Sequence, residues 1–383
     1  MTSIYLDHAA STPVHPEVAQ VMMKVMTEQY GNASSIHAYG RAAKRTVNGT
    51  RDQMAQLLDC SADELVFTSG GTESDNLALF GTARAMRHKG NHIIVSSIEH
   101  HAVLHSCHEL EKQGFRVTYL PVDHTGRLDM NQLEEAITND TVLISVMFGN
   151  NEVGTLQPIE EIGALAADKG IVFHVDAVQA LGAVPILCNK LPVDLMSFSS
   201  HKINGPQGIG ALYIRKGLQI APGMYGGLQE KKRRAGTENM AGIAGFGKAL
   251  EIAIKNLPDR REHYLTLRST LLQKLEDSIG SSSFVVNGNP LHFLPHILNI
   301  SIPETSTETL LMNLDMEGIA VASGSACTSG SLEISHVLQA MKLPENVLKS
   351  AIRFSFGLGN TTEEMEYTAK KIGTIVHRLR NRG

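Results

Sequence analysis

Ile171-Val172-Phe173-His174-Val175-Asp176 is a short apolar run that stops at a carboxylate. Upstream, residues 159–169 space their apolar side chains as a helix does. Downstream, residues 195–199 form another short apolar run. The same alternation extends toward the N-terminus. Residues 64–68 read as a strand, the turn Ser69-Gly70-Gly71 follows, and 72–86 reads as a helix. Residues 92–97 predict a strand and 101–112 a helix. Two further strands are expected over 115–120 and 142–147. Strands separated by helices of this length need crossover connections, which means a mostly parallel sheet covered on both faces.

Beyond about residue 238 the pattern changes. A helix over 240–256 ends near Leu257-Pro258, a polar helix spans 260–278, and a Ser- and Gly-rich loop leads to a strand near 296–302. After Thr361 an amphipathic helix ends in Arg378-Leu379-Arg380-Asn381-Arg382. The division expected is a large α/β domain over 13–257 and a smaller α+β domain built from 1–12 and 258–383.

Composition narrows the class. The 383 residues are 42% hydrophobic and 19% charged, a globular balance, with a net charge of −5. A mildly acidic chain has no general pull on nucleic acid or anionic membrane. MTSIYLDHAASTP has neither a basic nor a long apolar segment, and no run approaches the roughly 18 apolar residues of a membrane span. The expectation is a cytoplasmic protein with no direct nucleic-acid or membrane partner. Cys60, Cys107, Cys188 and Cys327 form no CxxC pair, so neither a disulfide framework nor a cysteine zinc site is indicated.

Three elements carry chemistry. In Ser69-Gly70-Gly71-Thr72-Glu73 a strand meets a helix start whose unpaired amides can hold an anion, although a plain capped turn reads equally simply. Asp176 stands at a strand's C-terminal end, where open α/β sheets place their ligand chemistry. An N-cap is the plainer reading. In Ser197-Phe198-Ser199-Ser200-His201-Lys202 a strand again ends in hydroxyls, and a lone lysine opens a Gly/Pro loop. Desolvation can strip such a lysine of its proton and make it a Schiff-base former, though most loop lysines are merely solvated. Lys202 follows Asp176 by 26 residues.

Taken together, and in this order, the three elements resemble the fold-type I pyridoxal-phosphate enzymes of the class V aminotransferase group. The match is close to the cysteine desulfurases. It runs from Tyr5-Leu6-Asp7-His8-Ala9-Ala10 to Arg353-Phe354-Ser355. The resemblance implies a large domain with a mostly parallel, seven-stranded-type sheet flanked by helices, plus the smaller domain, with pyridoxal 5′-phosphate as cofactor. It implies Lys202 as the Schiff-base lysine, Asp176 on the pyridine nitrogen and Gln179 on the phenolic oxygen. His100 would stack on the ring and act as acid or base. Gly71, Thr72, Ser199 and His201 would bind phosphate, joined by Thr237 from the other half of a homodimer. Asn151 would touch cofactor and substrate, and Arg353 would clamp the carboxylate of L-cysteine.

Cys327 separates sulfur chemistry from amino transfer. It lies in Ser323-Gly324-Ser325-Ala326-Cys327-Thr328-Ser329-Gly330-Ser331, whose small residues suit a mobile loop and an accessible thiol. The stretch also resembles the family's persulfide loop. The implied reaction converts L-cysteine to L-alanine and leaves sulfur on Cys327. A sulfur-acceptor protein, either an iron–sulfur scaffold or a tRNA thiolase, would then take it. The rivals are an aminotransferase or selenocysteine lyase on the same scaffold, and a non-catalytic partner protein. His101, His105 and His108 share one helix face, but no carboxylate or cysteine completes a metal site, so no metal is expected. A partly buried polar face is expected for His105 and His108.

Overall fold

The computed structural model describes residues 3–324 and 334–380. In chain order the strands are β1 (Ile4–Tyr5), β2 (Leu65–Thr68), β3 (His92–Ser96), β4 (Arg116–Leu120), β5 (Thr141–Ser145), β6 (Val172–Asp176), β7 (Leu195–Ser199), β8 (Gly210–Ile214), β9 (Val285–Asn287), β10 (Ile297–Ser301), β11 (Ile319–Ala320) and β12 (Ala351–Ser355). The helices that shape the site are α1 (Pro16–Glu28), α2 (Ala38–Leu57), α3 (Gly71–Met86), α4 (His101–Lys112), α5 (Met130–Ala136), α6 (Ile159–Lys169), α7 (Met240–Lys255) and α8 (Leu257–Ile279).

Seven strands form one sheet in the order β2-β8-β7-β6-β5-β3-β4. All run parallel except β8, which is antiparallel to both its neighbours. The apolar runs of β3, β5, β6 and β7 are buried along their whole length, as strands covered on both faces must be. Edge strand β4 differs: Arg116 is exposed and Val117, Thr118 and Tyr119 are half-buried. Strand β8 was not anticipated, because the Gly/Pro loop before it hides its start. That loop turns the chain straight back along β7, without a crossover helix.

The second half is built on the antiparallel sheet β12-β10-β9 and the two-stranded parallel pair β1–β11. Ile4 and Leu6 share a core with Leu267 and Leu271 of α8, Ile300 of β10, Phe354 of β12 and Ile372 of the C-terminal helix Thr362–Arg380. As expected, one helix ends just before Leu257-Pro258, but the next begins at Leu257 and not at Arg260. Asn256 closes α7 and opens α8, and Pro258 sits in the first turn, where a missing N–H costs no intrahelical bond. No helix among the described residues is long and apolar enough to cross a membrane.

Candidate active site

Strands β2, β7 and β6 end along the same edge of the sheet, β8 running back between the first two, and a cavity of about 440 Å³ opens above them. From β2 the turn through Gly70 delivers Gly71 and Thr72. Gly70 takes φ 154°, and the first turn of α3 carries no side-chain cap, so its amides are left to face a ligand. A Cβ at Gly71 would lie 2.7 Å from Val178 Cγ2 and 3.7 Å from Ser199 Cβ, so the glycine keeps this corner open. Ser199 is buried at the end of β7 and lines the cavity with His201. Burial takes the His201 ring down to about 4, and its Nδ1 pairs with Ser11 Oγ at 3.2 Å.

Asp176 ends β6 and is buried. No helix follows it. Instead its Oδ1 accepts the Val178 N–H at 2.9 Å, which fixes the carboxylate in a tight turn. Burial raises it to about 6, against the pull of Val178 N–H and the Lys202 charge. Beneath it, Asp75 of α3 is also buried and raised by burial, and its Oδ1 lies 3.7 Å from His174 Nε2 with no hydrogen bond among the described residues. His174 separates the strands below, with Nδ1 at 2.8 Å from Ser145 Oγ and Nε2 at 3.0 Å from Ser197 Oγ. Burial holds it neutral, at about 3.

Lys202 closes the short helical turn Ser200–Lys202. Its Nζ donates to Ala9 O at 2.5 Å and Ala10 O at 2.8 Å. Burial and then the Arg353 charge lower this amine to about 8, against the pull of Asp176 and Asp7. His100 is the N-cap of α4. Its Nδ1 accepts the Ala102 N–H at 3.1 Å, and burial followed by the Lys202 charge holds the ring at about 4. Gln179 donates to Ala9 O at 2.9 Å, and its Oε1 lies 3.4 Å from His296 Nε2.

Arg353, from the centre of β12, faces this group across the cavity. Nη2 pairs with Asp7 Oδ1 at 2.7 Å and Nη1 donates to Asn151 O at 2.9 Å, while Nε is buried without a partner among the described residues. Ten residues singled out from the sequence therefore line one cavity: Gly71, Thr72, His100, Asn151, Asp176, Gln179, Ser199, His201, Lys202 and Arg353. Thr237 is not among them and lies on an exposed loop. Cys327 lies outside the described residues. His105 and His108 are exposed, so the expected partly buried face is absent: α4 turns Val103, Cys107 and Leu110 to the core instead. Sequence reasoning missed the roles of Asp7, Ala9, Ala10 and Asp75. Asp7 to Ala10 stand in the quoted N-terminal stretch, but nothing local says that their carbonyls and carboxylate reach residues 202 and 353.

The class-V aminotransferase pattern matches residues 4–368. The chain belongs to the class-V aminotransferase family. A protein of Bacillus subtilis (strain 168) called putative cysteine desulfurase IscS 1 is 49% identical over 380 residues, 99% of this chain and 100% of that one. Cysteine desulfurase IscS of Methanosarcina thermophila is 48% identical over 379 residues, 99% of this chain and 93% of that one. A solved NifS-like protein superposes with a TM-score of 0.92 at 37% identity, covering 98% of this chain and 100% of its own.

As a class-V aminotransferase the chain is a pyridoxal 5′-phosphate-dependent enzyme of fold type I. The cavity fits that cofactor. Uncapped amides at the start of α3 suit a phosphate, and an amine held near 8 suits a carbonyl partner. The buried, raised carboxylate of Asp176 suits a cationic ring N–H, which would restore its ordinary ionisation. Arg353, with an unpartnered Nε, suits the substrate carboxylate.

Proposed function

We propose that the chain is a cysteine desulfurase in which Lys202, Asp176 and Arg353 handle L-cysteine and Cys327 receives its sulfur as a persulfide. One observation carries the residue assignment. A depressed lysine, a buried carboxylate and a buried arginine, drawn from β7, β6 and β12, face a single cavity. The names of the relatives supply the substrate.

The bound cofactor supplies an electron sink beside the substrate Cα. Asp176 holds the ring-nitrogen proton, and Gln179 and His100 hold the ring. Gly71, Thr72, Ser199 and His201 hold the phosphate. Arg353 and Asn151 orient the substrate carboxylate. Lys202 Nζ takes the Cα proton and returns it, a task that suits a group titrating near 8. His100, neutral throughout the physiological range, can accept the substrate thiol proton. The Cys327 thiolate attacks the substrate sulfur: the S–S bond forms, the Cβ–S bond breaks with its electrons left on the carbon side, Cβ takes a proton, and L-alanine leaves.

The same reading extends to partners and organisation. A homodimer would bring Thr237 to the neighbour's phosphate. It is supported by a set of exposed apolar side chains near that loop and on α1 and α2: Met23, Met26, Tyr39, Tyr225 and Leu228. The sulfur acceptor is a protein, an iron–sulfur scaffold or a tRNA thiolase. The enzyme works in the cytoplasm, on two domains spanning 13–257 and 1–12 with 258–383.

The test measures alanine and sulfide in one sample after L-cysteine and a thiol reductant are added. Equal yields are expected. Pyruvate, or a requirement for a 2-oxo acid without sulfide, would overturn the reading. Cys327→Ser should keep the cofactor's yellow colour and lose turnover, and rapid turnover by that variant would remove Cys327 from the scheme.

A further inference from the structure

Two other thiols meet at the opposite end of the large sheet. Cys60 precedes β2 and Cys188 precedes β7. Both strands run from these residues toward the cavity, so the pair lies at the far end from Lys202. Short backbone pairing ties the two segments together: Cys188 N donates to Leu58 O at 2.8 Å and Asn189 N to Asp59 O at 3.1 Å. That pairing sets the segment ending at Cys60 beside the one that begins at Cys188. The side chains join the same core, Cys188 fully buried and Cys60 half-buried, and their thiols hydrogen-bond to each other. Cys107 is buried on the core face of α4.

We propose that Cys60 and Cys188 form an oxidant-sensitive thiol pair that closes reversibly to a disulfide when a hydroperoxide reaches Cys60. Cys60 is the half-exposed member and meets the oxidant. Its thiolate attacks a peroxide oxygen; an S–O bond forms, the O–O bond breaks and hydroxide leaves. The Cys188 sulfur then attacks the Cys60 sulfenic acid, so that an S–S bond forms, the S–O bond breaks and water leaves. The two thiols together lose two electrons, one peroxide gains them, and the thiol protons end in two waters. The Cys60 contact, and then burial, push the Cys188 thiol well up, so it stays protonated and inert until Cys60 has been oxidised beside it. The linkage joins positions 128 apart in sequence and restrains the unfolded chain without touching the cavity.

The cofactor-loaded full chain is treated with hydrogen peroxide, its remaining thiols are alkylated, and peptides are mapped without reduction. A Cys60–Cys188 linked peptide that dithiothreitol releases is expected, with Cys107 unmodified. The oxidised protein should melt on the order of 5 °C higher. In Cys188→Ser, peroxide should leave a Cys60 sulfenic acid that dimedone captures. Two results overturn the proposal: both thiols still alkylated after Cys327 has been oxidised, or Cys60 found linked to Cys327. The mass readout needs no turnover, so its failure is separate from any failure of the desulfurase assignment.

Discussion

Lys202 owes its chemistry to where it is buried. The sequence shows a lysine after a strand. The structure buries it, seats its Nζ on the carbonyls of residues 9 and 10 and sets a cation opposite; burial first and that cation second leave a group half-deprotonated near pH 8. Because the neutral amine is the reactive form, cofactor uptake by the cofactor-free chain should speed up about tenfold per unit as pH rises toward 8, then level off. Stopped-flow absorbance would show this, and a pH-independent rate would contradict it. Lys202→Ala should abolish the bound-cofactor absorbance peak and cut turnover by at least about 1,000-fold. Arg353→Lys keeps the charge but loses the fork that holds Asp7 and Asn151. Steady-state kinetics should show KM for L-cysteine rising about tenfold or more, with kcat less affected.

Turns, more than strands, set the site. Asp176, Lys202 and Gly71 were legible because each sits where an apolar run stops, and strand ends are the part of a parallel sheet that the sequence marks best. The acceptors at residues 9 and 10 were not legible, since their use depends on packing between segments almost 200 positions apart. Helices α1 and α2 were missed for a related reason. They pack on α7, and α2 is polar enough to show only a narrow apolar stripe. The corner formed by β2 and α3 makes the sharpest test at this scale. Gly71→Ala would press a methyl on Val178 and Ser199. A loss of about 1–3 kcal/mol in stability is expected, with cofactor affinity falling at least about tenfold because the phosphate corner closes. Differential scanning fluorimetry and equilibrium dialysis would read the two effects separately.

Across the whole molecule, burial sets two groups of ionisable residues against each other. Burial lowers His8, His92, His100 and His201 to about 4, and His174 and His296 to about 3, from an ordinary 6.5. Below pH 6.5 the unfolded chain takes up protons that the folded one refuses, so stability falls as pH drops. Asp176, Glu152 and Glu99 are raised to about 6, 7 and 8, and Asp75 is raised as well. These hold protons that the unfolded chain has already lost, so stability falls as pH climbs from about 4 through 8. The histidines prevail on the acid side, and only the carboxyls act above 6.5. The melting temperature of the cofactor-free chain should therefore peak near pH 6 and decline toward pH 8. A melting temperature that climbs steadily from 6 to 8 would refute this ledger.

The N-terminal segment is bound at both ends of its short path. Ala9 and Ala10 receive the Lys202 amine, and Ala9 N donates to Ser355 Oγ at 2.8 Å, 346 positions away. On a ribosome these residues emerge more than 300 positions ahead of β12 and wait for it. They find their seat only after β12 has been translated and has cleared the exit tunnel. A nascent chain halted before residue 351 can already hold the seven-stranded sheet, yet its lysine lacks the strand-anchored carbonyls that pin it. The seating of Lys202 thus waits on β12, so a chain halted before that strand should lack the fully pinned amine.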